Sequence, residues 1–131
     1  MRGMLSGTAV CLAFGANDTR KPNNAQEEIM IYVIASIEVK PGKRDAFLAE
    51  FHRNIPNVKA EQGCMEYGPT VDVKTEIKAQ IPLRENTVTI VEKWESLAAL
   101  QAHLVAPHML TYRERVKDLV AGVSLQVLEP R

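Results

Sequence analysis

The spacing of the apolar residues changes at Pro41–Gly42 from that of a strand to that of a helix. Residues 29–39, which precede it, include the run MIYVIASIEV; this run is rich in β-branched side chains and alternates in part, so it predicts a strand. After the change, apolar residues recur at helical spacing, at Phe47, Phe51, Ile55 and Val58. Pro56 is expected to kink that helix or remove one backbone hydrogen bond, and Gly63 to end it in the left-handed conformation.

The rest of the chain contains three more strand patterns and one interrupted helix. CMEYGPTVDV at 64–73 and TVTIVEKWE at 87–95 predict strands, which a polar connection over 74–85 joins. Ser96 is a natural N-cap for the helix of LAALQAHLV. A second helical piece is predicted from Pro107, because proline fits the first turn of a helix and not its interior. GVSLQVLEP predicts the last strand.

The element order β-α-β-β-α-β predicts an α+β, ferredoxin-like fold, with an antiparallel sheet and the helices on one face. Strands 1 and 3 nevertheless carry apolar residues on both faces; in strand 3, Val88 and Ile90 lie on one side and Val91 on the other. A sheet that is apolar on both faces needs a second cover. A second copy of the same sheet supplies one, so we expect a two-fold homodimer through the open sheet faces.

Composition excludes several classes of partner and cofactor. The chain has 131 residues, which fits one domain, and its 16 Lys+Arg balance its 16 Asp+Glu, so no net charge draws it to nucleic acid or to an anionic membrane. Cys11 and Cys64 belong to no CxxC motif and are too few for a disulfide scaffold, which indicates a reducing, cytoplasmic location. No glycine-rich phosphate loop follows a strand, so a dinucleotide cofactor is not expected.

Residues 1–29 read differently from the domain predicted over 30–131. Arg2 is followed by a mildly apolar run, Met4–Phe14, and then by a polar stretch, an arrangement that faintly resembles a signal peptide for export. The alternatives are an added tail, or a functional start at Met30. The apolar run is too short to span a membrane.

Three stretches together resemble the antibiotic-biosynthesis monooxygenase family, and within it the small bacterial quinol monooxygenases. They are MIYVIASIEVKPGKRDAF, EQGCMEYGPTVD and IVEKWESLAALQAHLVAPHM, and the similarity runs from about Met30 to Pro130. The resemblance implies a dimeric α+β barrel with a pocket between sheet and helices in each protomer. It also implies oxygen chemistry without flavin or metal, on a small aromatic substrate.

The stretch AHLVAPH contains two histidines, His103 and His108, on either side of the helix break. They stand five residues apart, about 140° around an ideal helix, which disfavours a two-histidine metal site. Histidine suits general-base chemistry because its pKa lies near neutrality, and a neutral imidazole enters a dry pocket more easily than a carboxylate. We therefore predict that His103 deprotonates the substrate and that His108 orients it, although either also fits a structural role.

Four further residues are candidates for the substrate pocket. By the resemblance, that pocket is lined from the second and third strands and the second helix, where Tyr67, Trp94, Met109 and Tyr112 lie. Each also fits a structural role; Trp94, the only tryptophan, is as easily explained as a core residue. Tyr67 has a hydroxyl that requires a partner if it is buried.

The resulting expectation is a cofactor-independent monooxygenase that oxidises a quinol or hydroxy-aromatic, naphthoquinol-like substrate with molecular oxygen. One alternative is a non-catalytic dimeric protein that binds a small apolar ligand or signal. Haem binding or degradation is a weaker alternative, because haem-degrading relatives use an asparagine on the first strand, where this chain has Ala35 and Ser36.

Residues 1–28 are predicted to be dispensable for folding, because they lack the apolar periodicity of the rest of the chain. A chain that begins at Met30 should remain soluble and keep the melting temperature of the full chain, measured by circular dichroism. Insolubility or a much lower melting temperature would show instead that the N-terminal segment packs on the domain.

Overall fold

The computed structural model describes residues 29–131, which form four strands and three helices. In chain order they are β1 (Ile31–Val39), α1 (Arg44–Lys59), β2 (Cys64–Thr70), β3 (Thr87–Trp94), α2 (Leu97–Leu104), α3 (Pro107–Val116) and β4 (Val120–Leu128). With α2 and α3 as the two pieces of the interrupted helix, this is the predicted ferredoxin-like α+β order. No helix within the described range is long and apolar enough to cross a membrane.

The four strands form one antiparallel sheet in the order β2-β3-β1-β4. In the central pair, Ile31 lies opposite Trp94 and Ile37 lies opposite Val88. The odd-numbered residues of β1 are buried beneath the helices, whereas Tyr32 and Glu38 are exposed. The sheet therefore has one face covered by its own helices and one open face, as the element order predicted.

Several element boundaries differ from the sequence-based prediction, most of them by one or two residues. The first helix ends at Lys59 and not at Gly63, although Gly63 does adopt the left-handed conformation, with φ of 87°, in the turn into β2. A Cβ at that glycine would lie 2.7 Å from the Cβ of Ala99, so the turn also has no room for a side chain at position 63. β2 ends at Thr70 because the chain leaves the sheet there, and β4 begins earlier, at Val120.

The helix break at Pro107 has the predicted form. The Ser96 side chain accepts a hydrogen bond from the N–H of Ala99 and so caps α2, which ends at Leu104. Pro107 is the first residue of α3, where its missing N–H costs nothing. This restart turns α3 across the sheet, where it contacts α1, and encloses a space between helices and sheet.

Two apolar surfaces of the sheet remain uncovered by the residues that the structure describes. On the open face, Tyr32, Val91 and Leu128 are 36%, 37% and 43% exposed. On the helix-covered face, the helices do not reach the outer part of β4, so Val123 and Leu125 are 62% and 45% exposed. The homodimer through the open faces stays a prediction, and the exposed apolar residues of the open face are the ones expected to form its interface.

Ile34→Asp, a change at the centre of the open face beside Val91, should convert the predicted dimer to monomer. The substitution places two charges in the two-fold interface and removes side-chain burial worth about 1.5–3 kcal/mol for each copy. Light scattering at micromolar concentration measures the change, with Leu110→Asp, an exposed position on α3, as the control that stays dimeric. A wild-type protein that is monomeric under these conditions would refute the expected assembly.

Candidate active site

A cavity of about 380 Å³ lies between the helix-covered face of the sheet and helix α3. Its walls are mainly apolar and aromatic, and every strand and helix of the described range contributes to them; they include Ala35, Ile37, Phe47, Phe51, Ile90, Met109, Tyr112 and Val116. Arg113 and Lys117 stand among its lining residues beside the exposed part of β4. The volume is in the range of small-molecule sites and suits a ligand of one or two rings.

Three of the predicted substrate-pocket residues, Tyr67, Met109 and Tyr112, line this cavity. Tyr67 stacks on Phe51, with ring centroids 5.2 Å apart and an angle of 11° between the planes, and Tyr112 meets the same ring edge-on at 6.0 Å. Burial is the main cause that raises the pKa of both tyrosines, so their hydroxyls stay protonated. No hydrogen bond joins either hydroxyl to another group within residues 29–131, which leaves them as donors for a ligand.

Among residues 29–131, Glu92 is the one carboxyl group that lines the cavity. Its side chain lies on the helix-covered side of β3, the residue is 6% exposed, and its Oε1 accepts a hydrogen bond of 2.9 Å from Nε1 of Trp94. Burial raises the pKa of Glu92 to about 7; the Trp94 hydrogen bond opposes this rise, and the charge of Glu61 adds to it. A carboxyl group with such a pKa exchanges protons near neutrality.

Glu92 is absent from the candidate residues predicted from the sequence, although the pattern of β3 contains a signal for it. Val88, Ile90, Glu92 and Trp94 occupy alternate positions of β3, and all four are buried. A charged residue in a row of core positions is the signal of a buried ionisable group. The sequence does not show that a cavity reaches it.

Trp94 is fully buried and is not among the residues that line the cavity. Its indole ring lies between two groups of the site, because it donates to Glu92 and packs against the ring of His103 at a centroid distance of 4.7 Å. Its contribution in this structure is to fix the orientation of the Glu92 carboxyl group. A direct contact between Trp94 and substrate stays a prediction.

His103 and His108 lie behind the cavity wall, where both approach one carboxylate. Nδ1 of His103 is 2.9 Å from Oε2 of Glu61, and Nε2 of His108 is 2.8 Å from the same oxygen. The first contact is a hydrogen bond, whereas the ring N–H of His108 does not point at the oxygen, so the second is a close electrostatic contact only. Neither histidine is among the cavity-lining residues, and their predicted roles as base and substrate guide remain untested.

The hydrogen bonds around the cluster of Glu61, His103 and His108 indicate where the ring protons lie. Asn57 donates to Oδ1 of Asn54, so the Asn54 amide nitrogen is left to donate to Nδ1 of His108, and the proton of His108 is then on Nε2. Burial lowers the pKa of His103, and the Glu61 hydrogen bond offsets part of that effect. His103 is therefore expected to be neutral at pH 7, with its proton on Nδ1, directed at Glu61.

The two histidine rings both approach one oxygen of Glu61, Oε2, and the three side chains do not surround an empty point between them. Within residues 29–131, no three His, Cys, Asp or Glu side chains are arranged to share one metal ion. The cluster is instead a buried polar network that joins the end of α1 to α2 and α3.

Comparisons with known proteins agree with this architecture. Residues 30–115 match the family model described as antibiotic biosynthesis monooxygenase. The Escherichia coli K12 protein named "Probable quinol monooxygenase YgiN" is 39% identical over 103 residues, which cover 77% of this chain and 98% of that protein. The solved structure of Rv0793 from Mycobacterium tuberculosis superposes with a TM-score of 0.64 at 28% identity, covering 78% of this chain and 95% of the other. The structure of SO0527 from Shewanella oneidensis superposes with the same TM-score at 26% identity, covering 79% and 92%.

The raised pKa of Glu92 predicts a specific dependence of stability on pH. Between pH 4.5, the ordinary carboxyl value, and about 7, the folded protein holds a proton that the unfolded chain has lost, so stability falls as pH rises through this window. The total loss is on the order of 3 kcal/mol, at about 1.4 kcal/mol per pKa unit. This loss of stability should be absent in Glu92→Gln, whose amide oxygen can still accept the hydrogen bond from Trp94.

Urea unfolding at a series of pH values measures this effect as the difference in free energy of unfolding between wild type and Glu92→Gln. Using the difference removes the contribution of His103, whose lowered pKa acts in the opposite direction. Glu66→Gln, at an exposed position on β2, is the matched control and should follow wild type. A difference that is constant from pH 4.5 to 8 would show that Glu92 is not the group that titrates.

Proposed function

The chain belongs to the antibiotic biosynthesis monooxygenase family, as its sequence predicted, and on that basis we propose that it oxidises a hydroxy-aromatic, quinol-like substrate with molecular oxygen in the cavity. The observation that carries the proposal is the combination of an apolar, aromatic-walled cavity with one buried carboxyl group, Glu92, whose pKa is about 7. The apolar walls provide a site for the ring system, and the carboxylate provides a base for its hydroxyl group.

The proposed reaction begins with proton transfer from a substrate hydroxyl to the Glu92 carboxylate. The resulting anion is electron-rich and reduces oxygen directly, so the chemistry requires no flavin or metal. For a naphthoquinol the overall reaction is naphthoquinol plus O₂ giving hydroxynaphthoquinone plus water. One oxygen atom enters the ring, the other leaves as water, and the four electrons that reduce O₂ come from the substrate.

The tyrosine hydroxyls complete this scheme. Tyr67 and Tyr112 line the same cavity as Glu92, and both stay protonated because burial raises their pKa. Each can donate a hydrogen bond to the oxyanion that forms when the substrate loses its proton. Fixed donors in an apolar cavity stabilise such a charge more strongly than water-exposed donors do.

The histidines enter the proposal in two ways. His103 packs against Tyr67, which lines the cavity, and against Trp94, which donates to Glu92, so it supports the cavity wall from behind. It remains the alternative base if the protein opens far enough for substrate to reach its Nε2. His108 is proposed to hold the start of α3 in place, through Asn54 and Glu61, and thereby to orient the substrate wall.

Glu92→Gln should lower kcat/KM for a reduced naphthoquinone by about a hundredfold or more at pH 7.5, because a general base typically contributes 10²–10⁴ in rate. In wild type, kcat/KM should fall as pH drops below about 7, where Glu92 becomes protonated. The variant should lack that inflection. Oxygen uptake in chelator-treated, flavin-free buffer measures both quantities.

His103→Gln and Glu66→Gln serve as the comparison variants in this assay. Full turnover in Glu92→Gln together with a large loss in His103→Gln would assign the base to His103. Glu66 is exposed, so its variant should match wild type. Saturable binding of the quinol without oxygen uptake, in wild type, would instead support the non-catalytic ligand-binding protein.

A further inference from the structure

Residues 71–86 form an arm that joins β2 to β3 and contains no helix or strand. Both carboxylate oxygens of Asp72 accept hydrogen bonds from the Arg84 guanidinium, at 2.9 and 2.8 Å, and one also accepts from the Arg84 backbone N–H at 3.0 Å. Nearer the tip, the Gln80 side-chain amide donates to the carbonyl of Val73 at 2.7 Å. These hydrogen bonds join the two legs of the arm, the outgoing residues 71–76 and the returning residues 80–86, at two points along their length.

The tied arm presents a set of large apolar side chains to solvent. Their exposed fractions lie between 43% and 68%, and they are Val71, Val73, Ile77, Ile81 and Leu83. Single exposed apolar residues are common on protein surfaces, but five on one sixteen-residue connection indicate a contact surface. Because the legs are already held together, little conformational entropy is lost when this surface packs against another.

The uncovered part of β4 is a second apolar surface, and it borders the cavity. Val123, Leu125 and Val127 lie on the helix-covered side of the sheet, yet they are 62%, 45% and 47% exposed. Val123 and Leu125 also line the cavity. The mouth of the cavity is therefore on this side, and nothing within residues 29–131 of the same chain closes it.

In a face-to-face dimer whose two-fold axis runs parallel to the strands, the sheet topology brings these two surfaces together. The arm leaves the sheet at the end where β4 begins, since Glu38 pairs with Thr87 on one side and with Gly122 on the other. The order β2-β3-β1-β4 places the arm and β4 at opposite edges of one sheet. Consider a two-fold axis that runs parallel to the strands, between the open faces of two copies. It places the β2 edge of one copy beside the β4 edge of its partner. The arm and the start of the partner's β4 then lie at the same end of the dimer.

The length of the arm is sufficient to cross between the two sheets. Each leg has six or seven residues, which at about 3.3 Å per residue extend about 20 Å. Face-to-face sheets lie about 10 Å apart. An arm that starts at the β2 edge of one sheet can therefore pass the β4 edge of the other and reach its helix-covered side.

We propose that, in a homodimer of this chain, the arm of each copy packs its apolar side chains on β4 of the partner and closes the mouth of the partner's cavity. Each cavity is then complete only in the dimer, with Ile77 and Ile81 of the opposite copy supplying part of its wall. The inference depends on the arm, β4 and the sheet order, and it holds whatever reaction the cavity performs.

The first test measures dimer dissociation by sedimentation equilibrium on the full chain. The variant Ile77→Asp/Ile81→Asp should raise the dimer dissociation constant at least tenfold, because each dimer loses four buried isoleucines. Ala79→Asp, at an exposed position on the same arm, adds charge without removing a large apolar side chain and should behave as wild type. An unchanged dissociation constant in the double variant, or a monomeric wild type, overturns the proposal.

The second test is site-directed disulfide formation between copies. In a background of Cys11→Ser and Cys64→Ser, Ile81→Cys protein is mixed with Leu125→Cys protein and oxidised. A covalent dimer should form that requires both cysteines, whereas Ile81→Cys mixed with Lys59→Cys should give none. If the arm pair gives no more product than the Lys59 pair, the arm does not lie on β4 of the partner and the proposal is wrong.

A competing cover for β4 is the chain's own N-terminal segment. Leu12→Asp/Phe14→Asp in the full chain, with Leu125→Cys as a reporter for a thiol-alkylating reagent, separates the two. The proposal predicts faster alkylation in Ile77→Asp/Ile81→Asp and no change in the N-terminal variant. The reverse pattern would assign the cover to the N-terminal segment and overturn the proposal.

Discussion

The pairing of β1 with β3 is the constraint on which the site depends. Its register places Val33 opposite Glu92 and Ala35 opposite Ile90, on the face that the helices cover. Side chains alternate along a strand, so a shift of one residue would move Glu92 to the open face and put Val91 in its place. The apolar residues on either side of Glu92 fix this register through the core that they form, and that core in turn holds a carboxyl group that is 6% exposed.

The position of Glu92 has an energetic cost that the surrounding residues reduce only in part. A carboxylate in an apolar environment loses its hydration, and the hydrogen bond from Trp94 replaces only a fraction of it. Trp94 is itself held by the ring of His103, which Glu61 orients. A second carboxylate, one layer further from the cavity, thus contributes to the site through two ring contacts, and its charge further raises the pKa of Glu92.

The sequence predicted those features that depend on local spacing. It predicted the strand–helix order, the cap at Ser96 and the helix restart at Pro107, because propensity and backbone geometry at neighbouring positions determine them. Of the four residues that the family resemblance assigned to the substrate pocket, Tyr67, Met109 and Tyr112 line the cavity and Trp94 does not; contact of any of them with substrate stays a prediction. The sequence predicted that His103 and His108 act on the substrate, and those roles stay predictions, since neither residue lines the cavity. It did not indicate the carboxylate Glu61 that both approach, because those contacts join residues more than forty positions apart. The end of α1 was misplaced because a left-handed glycine marks a turn, and the turn here follows the helix by several residues.

The chain's only tryptophan donates a hydrogen bond to Glu92 and packs against the ring of His103, and this gives the protein an intrinsic optical reporter of its own site. Indole emission is quenched by a nearby protonated imidazole and shifts in wavelength with the charge of a hydrogen-bonded carboxyl group. The fluorescence of Trp94 therefore registers proton occupancy at the cavity without any label. Since the remaining aromatic residues are tyrosines and phenylalanines, excitation at the red edge of indole absorption isolates this one signal, and time-resolved measurements can follow ligand entry in the unmodified protein.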